Sequence, residues 1–215
     1  MKNYVIVDLE MCNVPKANCV NGMRLKNEVI QIGAVLLDDD LEVCDHFMTY
    51  VKPEYGVIDD VIENLTGITN EQVCDAPYFE SALCDFLDWL PEDTVLVSWS
   101  ANDELQMRKE CGAKKVFFPE MTSLLRSWID CQRTFDDIMG TTLCYGLSDA
   151  LNVSSLDYDR NIHDALVDAK NTALLFAKIE REKESFTLSP YISIGTGQSL
   201  SYSPFADLLR VCNFS

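Results

Sequence analysis

Between Lys52 and Arg108 the chain carries no lysine or arginine at all. Bases are scarce throughout, 17 against 35 acids, for a formal net charge of −18. The deficit is uneven. Residues 1–100 hold 19 acids and 5 bases, or −14, while residues 101–215 hold 16 acids and 12 bases, or −4. A protein that grips long duplex DNA lines the phosphates with cations, so this charge excludes a broad nucleic-acid footprint. It leaves room for a small site that holds one strand end through metal ions. Long apolar runs are also missing. None approaches the roughly 18 residues of a membrane-spanning helix. The run Val5-Ile6-Val7, after Met1-Lys2-Asn3-Tyr4, is too short for a signal-peptide core.

Histidine is almost absent, at His46 and His163 only. The nine cysteines are odd in number and scattered, with no Cys-x-x-Cys pair. That excludes a disulfide framework or a zinc knuckle and predicts reduced thiols in a cytoplasm. What is present is a hydrophobic content of 47% in 215 residues, enough for one sizeable α/β domain with a real core.

Tyr4–Glu10, Glu28–Leu37 and Val43–Val51 read as three strands, with the Asp38-Asp39-Asp40 turn closing an antiparallel meander. Residues 58–90 read as helix in pieces, broken at Leu65-Thr66-Gly67-Ile68-Thr69-Asn70, with Thr69 an N-cap and Gln72 three residues on. Phe79, Leu83, Phe86, Leu87 and Leu90 form an apolar stripe ended by Pro91. Thr94–Ser98 reads as a short buried strand. Helices are predicted over Asn102–Cys111, stopped by Gly112, over Met121–Thr134, and over residues 162–184, with a turn and short helix at 141–151. From Ser185 the composition shifts to Ser, Thr, Gly and Pro. The expected organisation is a domain over 1–184 and a tail or docking segment over 185–215. The order of elements predicts a mixed sheet with helices on its faces.

Three segments carry charge where chemistry needs it. The first strand ends Val7-Asp8-Leu9-Glu10, and residues two apart on a strand share a face. Ile6 shares that face, so both carboxylates sit where an apolar surface gives way to an opening. Adjacent carboxylates repel unless a cation lies between them, and Mg²⁺ favours such oxygens. The second segment is Ser98-Trp99-Ser100-Ala101-Asn102-Asp103, where a strand gives way to a helix carrying an acid in its first turn. The third is Asn161-Ile162-His163-Asp164-Ala165-Leu166-Val167-Asp168. On one continuous helix, five residues span about 140° of rotation. His163 and Asp168 therefore converge only if His163 precedes the helix or lies in its first turn, with Asn161 a plausible N-cap. Asp168 then sits among apolar neighbours, where an acid needs a partner. His46, between Asp45 and Phe47 on the third strand, reads as structural, which leaves His163 for any acid–base work. Taken one at a time, these acids also read as solvated strand ends and helix caps.

Taken in order, Asp8-x-Glu10, Asp103 and His163-x-x-x-x-Asp168 resemble the DEDDh group of 3′→5′ exonucleases. Gln31-Ile32-Gly33-Ala34, Tyr50-Val51-Lys52-Pro53-Glu54 and Leu65-Thr66-Gly67-Ile68-Thr69 add to the likeness over residues 3–180. The last two look nearest to the branch that trims histone mRNA and small RNAs, and to its bacterial relatives. The resemblance implies an α/β, ribonuclease H-like fold, an antiparallel meander extended by parallel strands and flanked by helices. It implies two Mg²⁺ or Mn²⁺ ions, about 3.5–4 Å apart, held by Asp8, Glu10, Asp103 and Asp168. His163 would be the general base, Glu10 would serve catalysis as well, and nucleoside 5′-monophosphates would be released. Glu10, the Met11 backbone, Leu65, Ile68, His163 and Arg160 would touch the terminal nucleotide of a single-stranded 3′ end, RNA favoured over DNA. Arg24, Lys26, Arg108, Lys109, Lys114 and Lys115 are the basic clusters available to steer a strand. The approach Asp157-Tyr158-Asp159-Arg160-Asn161 lacks a glycine that bacterial relatives often carry before the histidine. Two other readings stay open, a regulatory or binding protein on an exonuclease fold and a non-enzymatic metal binder.

Overall fold

The structure is a computed structural model, and it describes residues 2–18, 25–140 and 144–182. Five strands form one mixed sheet in the order β3-β2-β1-β4-β5. The strands β1 (Asn3–Asn13), β2 (Asn27–Leu37) and β3 (Val43–Tyr50) make the expected antiparallel meander. β4 (Thr94–Ser98) runs parallel to β1, and the two-residue β5 (Ile129–Asp130) runs parallel to β4.

Alternation along β1 sorts two apolar layers onto opposite faces. Val5, Val7 and Leu9 pack with Phe79, Leu83 and Phe86 of α3 (Phe79–Trp89) and with Met107 of α4 (Ala101–Lys114). Ile6 faces the other way. It packs with Phe135 of α6 (Cys131–Met139), Leu151 of α7 (Leu147–Val153) and Leu175 and Phe176 of α8 (Ala165–Arg181). A bulge follows Glu10, which pairs with Gln31 while Met11 pairs with Val29, so two residues of β1 span three of β2. Beyond it, Cys12 and Ile30 join Ile58, Ile62, Ile68 and Val73 in a third cluster. This cluster seats α1 (Asp60–Thr66) and α2 (Asn70–Val73) over the end of β1 beside Glu10. Gly67 ends α1 at φ 70°, and Thr69 and Gln72 form the capping box that starts α2.

Three expectations need correction. Gly112 does not stop its helix, because α4 runs to Lys114 and Lys115 takes the left-handed cap at φ 58°. The single helix expected over Met121–Thr134 is broken. α5 (Pro119–Ser127) gives way at Trp128 to β5, and the Asp130 side chain then caps α6 by accepting from the Arg133 N–H at 3.0 Å. The last helix starts at Ala165 rather than 162, with Asp164 and not Asn161 as its N-cap. Among the described residues the seven cysteines are free, and no helix is long and apolar enough to cross a membrane.

Candidate active site

β1 carries Asp8 and Glu10 to the end of the sheet on the face covered by α8. Glu10 is buried and Asp8 half-buried. β4 stops at Ser98, so its pairing with β1 ends at Ile6–Val97 and the β1 edge beyond is left open. Asp103, buried in the first turn of α4, fills that gap, its Oδ1 accepting the Leu9 N–H at 3.2 Å. Its carboxylate thereby becomes a stand-in for the missing strand and arrives between the two β1 acids.

The fourth acid comes from α8, and β2 decides where α8 lies. Gly33 pairs with Asp8, and a Cβ placed on it would stand 2.2 Å from the Ala165 carbonyl carbon and 2.3 Å from the Leu166 nitrogen. The helix main chain thus rests on the strand main chain directly across from Asp8. Gln31, fully buried and paired with Glu10, holds the same turn. Its Oε1 accepts the Ala165 N–H at 3.0 Å and its Nε2 donates to Asp164 Oδ2 at 3.3 Å. Asp164 Oδ1 accepts the N–H groups of Leu166 and Val167. Asp168, one turn in, faces the β1 pair.

His163 lies before the helix, as its convergence with Asp168 requires, with φ 68°. Its N–H donates to Asp168 Oδ2 at 2.8 Å. The other oxygen, Oδ1, is buried and has no hydrogen-bond partner among the described residues. Ligand atoms of Glu10, His163 and Asp168 lie within 4.8 Å of one another.

Electrostatics follow from this crowding. Burial raises the Asp8 and Glu10 carboxyls well above the usual range, and the negative charges of Asp103, Asp168 and Asp164 raise both further. Burial pushes Asp103 up to about 7, against the Leu9 hydrogen bond, and Asp168 up to about 6, against the His163 N–H. Burial lowers the His163 imidazole, so its neutral form is favoured at neutral pH. Four clustered carboxylates with an orphaned oxygen and a neutral imidazole are a donor set that fits hard divalent cations.

The nucleotide-contact residues are less uniform. Met11 follows Glu10 and packs against the apolar cluster that includes Phe86 and Met107. Leu65 is half-buried near the end of α1, whereas Ile68 is buried beside Cys12 and Ile30. Arg160 is exposed and lies over the Tyr158 ring, 4.0 Å from its centroid. Lys114 cannot steer a strand. Its side chain is 5% exposed, with the ammonium 2.6 Å from Glu28 and 3.0 Å from both Glu54 and Glu110. Arg108 is paired with Glu104. Lys26, Lys109 and Lys115 are exposed, and Arg24 lies outside the described residues. Two positioning roles escaped the sequence reading, those of Asp164 and Gln31. The first sits inside the histidine motif and was legible there as an N-cap.

The Exonuclease family model, RNase_T, matches residues 5–176. The chain is 31% identical over 176 residues to ERI1 exoribonuclease 2 of Danio rerio, covering 69% of this chain and 30% of that one. It is 25% identical over 211 residues to 3′-5′ exoribonuclease 1 of Homo sapiens, covering 92% of this chain and 58% of that one. The chain therefore spans less than two thirds of the length of these curated relatives. Among solved structures, the nuclease domain of 3′hExo, a DEDDh family member bound to rAMP, matches with a TM-score of 0.71 at 24% identity, covering 89% of this chain and 98% of that one. Cell-death related nuclease 4 matches with a TM-score of 0.70 at 21% identity, covering 87% and 67%. The ribonuclease H-like architecture expected from the motifs is the one observed, and the chain belongs to the RNase_T exonuclease family.

Proposed function

We propose that this chain is a metal-dependent 3′→5′ exonuclease acting on single-stranded nucleic acid, RNA in preference to DNA, and releasing nucleoside 5′-monophosphates. The observation that carries the reading is the clustering of Glu10 and Asp168 with His163, with Asp8 and Asp103 close enough to raise one another's carboxyls, beside an imidazole whose neutral form burial favours. A purely structural domain gains nothing from crowding four carboxylates together, because each raises the cost of ionising the others.

In this reading Asp8, Glu10, Asp103 and Asp168 hold two Mg²⁺ or Mn²⁺ ions. The ions supply Lewis-acid activation of water and charge stabilisation at the leaving 3′ oxygen. His163 accepts the proton of the attacking water on an imidazole nitrogen. Its main-chain bond to Asp168 fixes where the ring starts. Asp103, tied to Leu9, keeps its carboxylate level with the β1 pair. Glu10 and the Met11 main chain, at the bulge, face the terminal nucleotide. The half-buried Leu65 offers the base an apolar contact, and the buried Ile68 holds that wall in place. Arg160 reaches a phosphate by sliding off Tyr158. The preference for RNA rests on the exoribonuclease relatives. The preference for single strands rests on the acidic surface, which has few cations to spend on a second strand.

The test uses matched 5′-labelled single-stranded RNA and DNA oligonucleotides, with Mg²⁺, Mn²⁺ or EDTA, beside Asp8→Asn. The expected result is a metal-dependent ladder shortening from the 3′ end, faster on RNA and absent in the variant. Intact oligonucleotides with metal binding preserved would sink the catalytic reading and leave a binding protein on an exonuclease fold.

A further inference from the structure

Asn171 is a polar residue on a helix face that packs into the protein, and it is 1% exposed. It lies on α8 three positions after Asp168, so the two side chains are neighbours on one side of the helix. Its carboxamide pairs with both main-chain groups of Asp159. Nδ2 donates to the Asp159 carbonyl at 2.9 Å, and Oδ1 accepts the Asp159 N–H at 3.1 Å. A carboxamide offers a donor and an acceptor side by side, so one side chain pairs both main-chain groups of one residue. In effect α8 supplies Asp159 with a one-residue strand partner.

Asp159 opens the loop that ends at His163. Its own carboxylate accepts the Asn161 N–H at 2.9 Å, which turns the chain locally. Four residues after Asp159, the His163 N–H meets Asp168. The segment 159–163 is therefore bridged at its start by Asn171 and at its end by Asp168, both from the same face of α8. The middle is more open, with Arg160 laid over the Tyr158 ring, Asn161 exposed and Ile162 41% exposed. His163 is held in a left-handed conformation that costs a non-glycine residue about 1–2 kcal/mol. With no glycine between 157 and 162 to relax it, that conformation depends on the two clamps.

We propose that Asn171 is a positioning residue for His163, fixing the loop so that the imidazole meets the carboxylate cluster. The assignment rests on the reading of His163 as general base. Asn171 also lies against Asp168, whose carboxyl its side chain holds down, and it reaches His163 through the loop.

A double-mutant cycle tests this. Rates are measured for the wild type, Asn171→Ala, His163→Ala and the double variant, at saturating Mg²⁺ on one single-stranded oligonucleotide. Asn171→Ala should lower kcat about tenfold to a hundredfold, as misplacement of a reacting group does, with KM unchanged. On the His163→Ala background the same change should lose most of its effect. An equal loss on both backgrounds, or a loss confined to KM, overturns the proposal. The chain has two histidines, so its imidazole NMR spectrum reports His163 beside His46 as an internal control. Asn171→Ser, a milder change should the alanine variant fail to fold, should shift or broaden the His163 signals and leave those of His46 in place. Unchanged His163 signals overturn the proposal. A His163→Ala enzyme with wild-type kcat would instead remove the general-base reading, and the spectrum would still decide whether Asn171 places the ring.

Discussion

The buried Gln31 side chain accepts the Ala165 N–H at 3.0 Å and donates to Asp164 at 3.3 Å, joining the strand that faces Glu10 to the first turn of the helix that carries Asp168. Removing it leaves a buried main-chain N–H without a partner, a loss of about 1–3 kcal/mol. Gln31→Ala should lower the melting temperature and reduce activity together, because the helix start loses its tie. Gln31→Glu keeps the acceptor but sets a second carboxylate against Asp164. Its metal-free stability at pH 8 should be the lower of the two. Thermal melts in EDTA check the order, and an equal or reversed order would show that Asp164 does not need the amide donor.

Asp168→Asn should abolish turnover and raise the stability of the metal-free protein. The native carboxyl is buried with Oδ1 unpartnered and is pushed up to about 6. Replacing it by a neutral isostere should relieve on the order of 1–3 kcal/mol at pH 8. Melting in EDTA reads the gain, and the oligonucleotide ladder reads the loss. A variant less stable than wild type in EDTA would mean that Asp168 is satisfied without a cation.

The same crowding sets a pH dependence. An unfolded aspartate titrates near about 3.9, while Asp168 and Asp103 are raised to about 6 and about 7 in the fold. Between those values the native state binds more protons than the unfolded one, so stability falls as pH rises. In EDTA the melting temperature should be highest near pH 4–5 and fall through pH 6 and 7, with the raised Asp8 and Glu10 carrying the fall further. Saturating Mg²⁺ should flatten or reverse the slope, since deprotonated ligands bind metal. General repulsion from a charge of −18 has the same sign. Asp103→Asn separates the two, because it should flatten the window below pH 8 while changing the net charge by only one.

Lys114 should prove structural rather than nucleic-acid binding. Its ammonium is enclosed by Glu28, Glu110 and Glu54, and Glu28 in turn accepts the N–H groups of Glu54, Tyr55 and Gly56. Glu110 accepts the Val29 N–H at 2.9 Å. Lys114→Met strands two fully buried carboxylates and should cost about 3–5 kcal/mol. Adding Glu110→Gln should recover part of that loss. The salt dependence of oligonucleotide binding should not change in the double variant. A shallower salt slope would return Lys114 to the binding surface.

The legible parts of the molecule were those whose signal is local. The meander showed in the alternation of β1 to β3, and the break before α2 showed in Gly67 and Thr69. The shared face of the β1 acids followed from the strand period, and rotation put His163 in the first turn of its helix or ahead of it. The rest depends on partners far apart in sequence. Gln31 and Asp164 are 133 positions apart, and neither announces the other. β5 is two residues long, too short to leave a period, and Trp128 carries no sign that it ends a helix. Lys114 sits in a basic-looking run, Lys114-Lys115, and only the burial of Glu28 and Glu110 separates its fate from that of its neighbour.

The main-chain contact at Gly33 bears on how far such a chain is free to diverge. The gap between the acids on β1 and the acid on α8 is gauged by backbone resting on backbone. Beyond the Gln31 tie, hydrocarbon side chains do not set that contact. The apolar clusters on either side of the sheet are therefore at liberty to exchange one hydrocarbon for another over long lineages without moving the two halves of the site apart. Position 33 has no such latitude. A single added methyl there would change the aperture of the site, so neutral drift is expected to run through the core and to halt at this residue.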